Sequence, residues 1–414
     1  MPPVSFIVLG AGSRGEVYAD RLASHGDRAR VVGIAEPRQA YRTRFAQAHQ
    51  VPPDNVVADW RQLADRPKLA DAAIVATPDA VHARPAVALA ERGYHILLEK
   101  PMAPNEPDCR RIVDAVSRAG VLFAVCHVMR YTPYTRAVKA LVDAGRIGQV
   151  VNCQHFEPVG YWHQAHSFVR GNWRNEAESA PMLLAKSCHD VDWICHIMGG
   201  RCASVSSFGS LLHFRAENRP PTAADRCVDC PLDGHCPYSA RKIYLGMLEK
   251  GNTGWPVDIL TPDVSPDSVL EALRTGPYGR CVYACDNDVV DHQVVNFLFE
   301  DGRTASFTMT AFCRARGRQT RLFGTTGEIT GDGKTIEVFD FLTDQTEVID
   351  PYADDTVAGG GHGGGDGALL DAFLDAVADN DPSKILSGPD ETLQTHRIVF
   401  AAETARRENR AVDL

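Results

Sequence analysis

A glycine-rich turn directly after a short buried strand is the feature that most constrains the fold of this chain. The apolar run 5–9 predicts the strand, the pattern Gly-x-Gly-x-x-Gly follows at 10–15, and residues 16–24 predict a helix. A second predicted strand, 31–35, completes a βαβ unit. In that context the glycines permit a tight turn and close backbone approach, and the helix N-terminus faces a pyrophosphate. The first third of the chain is therefore predicted to be a dinucleotide-binding fold with a parallel sheet.

The turn and the end of the second strand supply the first predicted cofactor contacts. The turn residues concerned are Gly10, Gly12, Ser13, Arg14 and Gly15. Glu36 ends the second strand, where a carboxylate accepts both ribose hydroxyls of the adenosine and repels a 2′-phosphate. This predicts NAD, with NADP disfavoured. Arg38 leaves an alternative, because it would attract a 2′-phosphate unless it is only a solvated residue at a helix start.

Lys100 lies in the sequence Glu99-Lys100-Pro101, directly after the apolar run 95–98. Burying an ammonium group costs several kcal/mol unless something pairs with it. A lysine at the end of a buried strand, flanked by Glu and Pro, therefore indicates a side chain that takes part in binding or catalysis.

Other polar residues follow the predicted strand 72–76, and the carboxyl ends of parallel strands form the ligand crevice of such a sheet. The cofactor contacts predicted in this crevice are Thr77, Pro78, His82, Glu99 and Lys100.

The hydrophobic pattern changes after about residue 130. Alternation typical of strands with one covered face occurs at 150–157, 202–208, 290–300 and 303–312, with a hairpin signal at Asp301-Gly302. Helices are predicted at 134–144, 180–198, 366–378 and 389–408. We therefore predict a dinucleotide-binding domain at 1–130 and an α+β substrate domain at 131–414, with a Cys-rich insert at about 212–285.

Three motifs together resemble the Gfo/Idh/MocA oxidoreductase family: the turn 10–15, Thr77-Pro78 with His82, and Glu99-Lys100-Pro101. The resemblance covers essentially the whole chain. It implies an α/β Rossmann domain followed by an α+β domain with a large, mostly antiparallel sheet. It also implies that Lys100 lies beside the nicotinamide and the substrate, and that the substrate is a sugar, an inositol or a related polyol.

The predicted helix 180–198 places Lys186 and His189 three residues apart, on one helical face. The family usually has an Asp four residues before this His, and here that position is Ala185. The expected catalytic set is therefore a Lys–His variant of Lys100, His189 and Lys186. The alternative for His189 is a surface histidine bonded to a neighbouring carboxylate.

The expected reaction is hydride transfer between a carbinol carbon and nicotinamide. A histidine with an ordinary pKa near ~6.5 is suited to removing the hydroxyl proton, while Lys100 hydrogen-bonds the reacting oxygen. One alternative keeps the fold and cleaves a glycosidic bond through a transient keto-sugar with no net redox change. The other is a non-catalytic sensor that binds NAD and a sugar.

Several residues that mix aromatic faces with hydrogen-bond donors are predicted substrate contacts, because sugars bind in this way. They are Arg130, Trp162, His163, Arg170, Arg174 and His362. His362 lies in the glycine run 359–365, which is either a flexible linker or a loop that carries His362 and Asp366 to the site.

Twelve cysteines include the pattern Cys227-x₂-Cys230-x₅-Cys236 in the Pro-rich insert. The insert has little apolar content, so we expect a metal to order it. Three thiolates at this spacing, with Cys281 as the fourth ligand, predict a structural zinc site; Cys285 and His235 are the alternatives for the fourth position. An iron–sulfur cluster fits the same thiolates but no common cluster spacing, and free cysteines remain the other alternative.

Composition limits the partners. The formal charge of −10 argues against nucleic acid as a partner. The sequence contains no run of 18 apolar residues, so no membrane-spanning helix is predicted. The first residues lead into a strand without an export signal, so a cytoplasmic protein is expected. We also expect a homo-oligomer, a dimer or tetramer, formed through the C-terminal sheet.

Overall fold

The computed structural model describes residues 2–353 and 361–414. Its first sheet has six parallel strands in the order β3-β2-β1-β4-β5-β6. Their bounds are β1 (Val4–Leu9), β2 (Ala29–Ala35), β3 (Val56–Val57), β4 (Ala72–Val75), β5 (His95–Leu98) and β6 (Phe123–Val125). The central strands β1 and β4 are buried along their whole length, as expected for a parallel sheet covered on both faces.

Five helices connect these strands. They are α1 (Ser13–Ser24), α2 (Gln39–Ala48), α3 (Arg61–Ala64), α4 (Ala83–Glu91) and α5 (Glu106–Ala119). Helix α5 shows local control of its length: the Asn105 side chain accepts a hydrogen bond from the Asp108 amide, and Gly120 ends the helix with φ 63°. The predicted α/β Rossmann arrangement is confirmed.

The second sheet has nine strands in the order β14-β13-β12-β11-β7-β10-β9-β8-β15. Their bounds are β7 (Val150–Pro158), β8 (Cys202–Ser210), β9 (His292–Phe299), β10 (Thr304–Thr310), β11 (Gln319–Gly324), β12 (Gly327–Gly331), β13 (Ile336–Asp340), β14 (Gln345–Ile349) and β15 (Val412–Asp413). Only β7 and β10 pair in parallel, so the predicted mostly antiparallel sheet is confirmed.

The remaining helices cover one face of this sheet, fill the insert or return to the first sheet. They are α6 (Pro133–Asp143), α7 (Tyr161–His163), α8 (Met182–Ala185), α9 (Cys188–Met198), α10 (Gly246–Leu248), α11 (Pro266–Thr275), α12 (Gly365–Asp379) and α13 (Pro389–Glu408). Two π-helical segments, Gln164–Arg170 and Arg241–Leu245, also occur.

The predicted helix 180–198 is wrong as a single element. Helix α8 ends at Ala185, α9 begins at Cys188, and Lys186 and Ser187 lie at the break. Lys186 and His189 therefore do not share a continuous helical face. The break has a tertiary cause, because it lets the Lys186 ammonium reach the Glu157 carboxylate on β7 at 3.0 Å.

Helix α12 packs on the first sheet although it follows the second in sequence. The rings of Phe373 and Phe6 lie 6.5 Å apart, and Leu369, Leu370 and Leu374 join the same apolar cluster. The domain boundary at residue 130 stays a prediction. The apolar core of the first sheet nevertheless includes residues of α12, which lie after that boundary.

The insert between β8 and β9 has an apolar core of its own. Phe214, Tyr244, Val269 and Leu273 are almost fully buried and pack with Ala165 from the preceding region. The expectation that the insert lacks the means to build a core is therefore wrong. Within the described residues, no helix is both long and apolar enough to cross a membrane.

Candidate active site

The glycine turn is shaped by close backbone contacts. Gly10 has φ +99°, and a Cβ there would lie 2.4 Å from the Ala76 carbonyl oxygen. A Cβ on Gly15 would lie 1.9 Å from the Gly10 oxygen. Gly12 is the N-cap of α1 and offers no side-chain cap, so the first amides of the helix, starting at Ser13, remain available to an anion. This cradle fits a dinucleotide pyrophosphate.

Glu36 ends β2 beside this turn and is held by hydrogen bonds. Its carboxylate accepts from the Ala11 amide at 2.9 Å and from Arg38 Nε at 2.8 Å. Burial alone would raise the Glu36 pKa, but the bonds from Arg38 and Ala11 outweigh it and lower that pKa. The Arg38 guanidinium in turn lies 3.8 Å from the centre of the Tyr41 ring. Glu36 and Arg38, the two residues that could select the adenosine ribose, are therefore in direct contact. The preference for NAD over NADP stays a prediction.

Thr77 and Pro78 follow β4 at the same sheet edge. The Thr77 hydroxyl is buried and has no hydrogen-bond partner in the part of the chain that the structure describes, which suits a polar ligand in the adjoining crevice. His82 is fully buried, and its ring nitrogens lie 2.8 Å from the carbonyl oxygens of Thr77 and Pro101. Its observed contacts therefore tie two strand-end loops together.

The side chain of Glu99 is already occupied by protein donors. It accepts from Arg14 Nε at 2.6 Å, from the Tyr18 hydroxyl at 2.7 Å and from the Lys100 amide at 2.9 Å. Burial favours a raised Glu99 pKa, yet the Arg14 guanidinium overrides it and the pKa is lowered. Glu99 is thus a buried anchor at the end of β5, and Arg14 is directed to it instead of outward.

Lys100 extends from β5 to the second domain. Its ammonium donates to the Ala185 carbonyl oxygen at 2.8 Å, at the end of α8. Position 185 therefore adjoins Lys100 directly. Because the side chain of Ala185 carries no polar atom, the contact at this position is made by the backbone carbonyl.

His189 lies in the same region and is almost entirely buried. Within the described residues its Nδ1 has no hydrogen-bond partner. The His127 ring lies 5.8 Å away; neither of its nitrogens has a hydrogen-bond partner there, and its Nδ1 lies 3.8 Å from an Asp192 carboxylate oxygen. Burial, followed by the positive charge of Lys100, lowers the His189 pKa well below the ordinary value. The expectation of an ordinary pKa near ~6.5 is therefore wrong, and the imidazole is neutral over a wide pH range.

The segment before α12 brings His362 to this cluster. The rings of His362 and His189 lie 5.9 Å apart, and His362 Nδ1 lies 3.1 Å from an Asp366 oxygen. Asp366 also accepts two hydrogen bonds from Arg14, at 2.7 and 3.1 Å. These contacts favour the loop interpretation over the linker. Positions 359 and 360 of the glycine run lie outside the described residues.

Lys186 belongs to a charged network that the sequence did not reveal. Glu157 pairs with Lys186 at 3.0 Å and with Arg318 at 2.9 Å. Arg318 also pairs with the buried Asp190, which bonds His155 at 3.1 Å. Glu157 and Arg318 lie far from Lys186 in sequence and carry no motif, so only the fold could identify them.

Aromatic side chains form one wall near this network. The Trp162 ring lies 5.6 Å from that of His163, and the Trp255 ring lies 5.0 Å from His163. Burial and then the charge of Lys186 lower the His163 pKa well below its usual range. Trp255 comes from the insert and was not among the predicted substrate contacts. An aromatic residue next to Pro256 was the signal in the sequence that could have identified it.

Three predicted substrate residues lie elsewhere. Arg130 is buried and makes a bidentate pair with Asp192, at 2.7 and 2.8 Å. Arg174 pairs with Asp286 at 2.9 Å near the surface of the insert. Arg170 contacts Cys227 and not the Lys100 cluster. The fold therefore gives each of these arginines a protein partner, and their role as substrate contacts stays a prediction.

The four predicted metal ligands do come together. Cys227, Cys230, Cys236 and Cys281 line one cavity, which His235 also borders. However, within the part of the chain that the structure describes, no three His, Cys, Asp or Glu side chains are grouped to hold a metal ion. The predicted single-zinc site is therefore not supported by the geometry.

The strand order and the glycine turn define a dinucleotide-binding fold. Residues 4–127 match the family model described as "Oxidoreductase family, NAD-binding Rossmann fold", and residues 139–414 match "Oxidoreductase family, C-terminal alpha/beta domain". The chain belongs to the Gfo/Idh/MocA oxidoreductase family, as its motifs indicated.

Similar proteins include several carbohydrate enzymes. The chain is 29% identical over 217 residues to 2,7-anhydro-N-acetylneuraminate hydratase of Mediterraneibacter gnavus, an alignment covering 52% of this chain and 55% of that protein. It is 27% identical to scyllo-inositol 2-dehydrogenase (NAD(+)) of Bacillus subtilis, over 67% of this chain and 69% of that one. The fold matches a levoglucosan dehydrogenase solved with NADH and levoglucosan, with TM-score 0.72, 19% identity and 99% coverage of both chains.

Proposed function

We propose that this protein transfers a hydride between NAD and a CH–OH carbon of a sugar, an inositol or a related polyol. The observation that carries the proposal is the buried, neutral His189 beside Lys100, at the edge of the sheet where the dinucleotide cradle opens. Similarity to an enzyme named scyllo-inositol 2-dehydrogenase supports the substrate class.

The residues of the first domain hold the cofactor. The amides at the start of α1 would bind the pyrophosphate, Glu36 would accept hydrogen bonds from the ribose hydroxyls, and the Thr77 hydroxyl, which has no hydrogen-bond partner within the described residues, would be available to the cofactor. When bound, NAD supplies the hydride acceptor or donor. Glu99 and His82 keep the loops around it in place.

The residues of the second domain handle the proton and the substrate. The Lys100 ammonium turns from the Ala185 carbonyl to the reacting oxygen and stabilises its developing charge. The His189 imidazole accepts the hydroxyl proton. Within the described residues its Nδ1 has no hydrogen-bond partner, so that atom is available to the substrate. Lys186, Arg318, His163 and Trp162 contact the remaining hydroxyls and ring faces of the substrate.

A redox-neutral reaction through a transient keto-sugar is the second candidate. It is favoured by the 29% identity to an enzyme named as a hydratase, since adding water changes no net oxidation state. In that case the same Lys100 and His189 would act, but NAD would be restored within each turnover.

A screen of sugars, inositols, anhydro-sugars and glycosides with NAD tests the proposal, with NADH formation and product analysis followed in parallel. We expect NADH to accumulate with at least one polyol, and Lys100→Ala to lower kcat by ~10²-fold while NAD still binds. Lys250→Ala, at an exposed position, is the matched control. Substrate conversion without net NADH would favour the redox-neutral candidate, and normal kcat in Lys100→Ala would remove Lys100 from the mechanism.

The predicted homo-oligomer also has structural support. The outward face of β8, β9, β10 and β7 carries no Asp, Glu, Lys or Arg, in a chain of which 23% of residues are charged; apart from His292 at the start of β9, its side chains are neutral. These are Asn152, Gln154, Phe156, Ser204, Ser206, Phe208, Val294, Asn296, Leu298, Thr304, Ser306 and Thr308. A second copy of the same face is the occupant we propose, and a cytoplasmic location stays a prediction.

A further inference from the structure

The insert between β8 and β9 contributes Trp255 to the aromatic wall of the candidate active site. The centre of the Trp255 ring lies 5.4 Å from that of Trp162 and 5.0 Å from that of His163. It also lies 5.4 Å from the His166 ring. Both histidine rings stand nearly perpendicular to the indole, at 77° and 89°. Three neighbouring rings therefore fix the orientation of the Trp255 side chain.

The backbone around Trp255 is held by the insert itself. The Asn252 side chain donates to the Trp255 carbonyl oxygen at 3.2 Å and accepts from the Gly254 amide at 3.1 Å. Two residues further on, Val257 is fully buried in the apolar core of the insert. That core also contains Ala165, from the segment that follows the wall residues. One core thus anchors both sides of the contact, and the indole is in place before a ligand binds.

Exposure increases from the reacting groups of the site towards Trp255. His189 is 4% exposed and the Lys186 side chain 18%, whereas Trp255 is 42% exposed. Burial and then the charge of Lys186 lower the pKa of His163, whose ring contacts Trp255. His163 therefore links the charged network to the indole. The reacting end of the site is deep, and Trp255 lies towards its mouth.

The segment that carries Trp255 also comes close to the first domain. Burial raises the pKa of the Asp258 carboxyl, and the nearby Glu16 carboxylate raises it further against the opposing charge of Arg44. Glu16 lies in the first turn of α1 and forms an ion pair with Arg44 of α2. The insert therefore extends from the aromatic wall towards the end of α1 that holds the cofactor cradle.

A half-exposed indole of fixed orientation favours a ligand with a flat apolar face. The six-membered ring of a sugar carries C–H groups on its faces and hydroxyls around its edge, so it can stack on an aromatic side chain while the hydroxyls keep polar partners. In the proposed function, Trp162, His163 and Lys186 already contact the ring that reacts. The part of a substrate that remains for Trp255 is a second ring, joined to the first by a glycosidic bond.

We propose that Trp255 forms a subsite for this second ring, and that the substrate is a disaccharide or another glycoside instead of a free monosaccharide. The inference rests on the proposed function, because it names the substrate class of the same site. Trp255 contacts only the ring that does not react. It therefore determines affinity and specificity, whereas Lys100 and His189 act on the reacting carbon and oxygen.

Binding and steady-state kinetics of the full chain test the subsite. The probes are cellobiose, maltose and lactose, compared with glucose and galactose. We expect the native protein to bind at least one disaccharide ~10-fold more tightly than its constituent monosaccharides. Trp255→Ala should remove this advantage and raise the disaccharide KM ~10-fold with little change in kcat. Trp255→Tyr should retain most of the advantage, because it keeps an aromatic face at this position.

Trp173→Ala is the matched control, because Trp173 is 37% exposed and its ring packs near Phe168. It should leave the affinity for both classes of sugar unchanged. Calorimetric titration of Lys100→Ala in the presence of NAD measures sugar binding without turnover.

The subsite and the proposed reaction fail separately in these experiments. A disaccharide affinity no greater than that of the monosaccharides, or an equal loss for both in Trp255→Ala, would overturn the subsite. Tight disaccharide binding that depends on Trp255, but without NADH formation or product, would support the subsite and contradict the reaction.

Discussion

His189 shows how strongly a buried environment changes one side chain. The residue type suggested a base that titrates near neutrality, but Lys100, His127, His362 and Arg318 surround it with positive or potentially positive charge. Burial and these neighbours disfavour the imidazolium. The neutral base form therefore persists at pH values where an exposed histidine is protonated.

This environment predicts the pH dependence of alcohol oxidation. A base must be unprotonated, so activity falls as the pH drops through its pKa. Because the His189 pKa is lowered, the acidic limb of kcat/KM should lie below the ~6.5 of an ordinary histidine. The measurement is kcat/KM against pH, with His189→Ala for comparison. A limb at or above pH ~6.5 in the native protein would contradict the assignment.

Glu36 allows a prediction about cofactor choice. Its carboxylate should repel a 2′-phosphate, so the native protein should bind NAD more tightly than NADP, and Glu36→Ser should relax that preference because Arg38 is then released from its ion pair. Dissociation constants for both cofactors check this, with Asp59→Ser, at an exposed position, as control. If the native protein instead binds NADP tenfold more tightly, a difference of ~1.4 kcal/mol in binding free energy, Arg38 and not Glu36 selects the cofactor.

At the scale of elements, the two sheets are joined by parts of the chain distant in sequence. Helix α12 crosses back to β1; its first turn brings Asp366 to the site, and the segment directly before it brings His362. The break between α8 and α9 sends Lys186 and His189 to different partners. The elements that join the two sheets thus also position the side chains of the site. Substitutions that disturb their packing should therefore lower both stability and activity.

Docking of α12 is open to a stability test. Phe373 is fully buried against Phe6, and Phe373→Ala should lower the free energy of unfolding by ~3–5 kcal/mol through lost burial and the cavity left behind. Chemical denaturation measures the change. Leu342→Ala is the control, because Leu342 is 91% exposed and its truncation should cost less than ~0.5 kcal/mol. Equal effects of the two substitutions would refute the packing argument.

At the scale of the whole molecule, the fold leaves one face of the strands β7 to β10 uncovered within the described residues, and no Asp, Glu, Lys or Arg side chain lies on it. Leu298 and Phe208 are 44% and 56% exposed there. Covering such a face with a second copy buries it without unpaired charge.

Leu298→Arg should therefore shift the protein from an oligomer towards monomer, because two copies would bring like charges into the interface. Size-exclusion chromatography with light scattering measures the mass. Leu342→Arg, outside this face, should leave the mass unchanged. A monomeric native protein would show that the face is solvent-exposed in solution.

Local sequence determined much of the first domain. Gly10 and Gly15 could be recognised because the tight turn leaves no room for a side chain at either position. Lys100 could be recognised because burying an ammonium at the end of a strand costs free energy. The alternating strands and the hairpin at Gly302 were predictable for the same reason, since each depends on neighbours within a few residues.

The tertiary structure alone decided what depends on long-range contacts. It paired Arg130 with Asp192 and brought Arg170 to Cys227, contacts that the sequence did not predict for either arginine. It also brought Glu157 and Arg318 to Lys186. Spacing along the chain identifies residue types, but charge pairing and desolvation depend on groups that meet only when distant segments fold together.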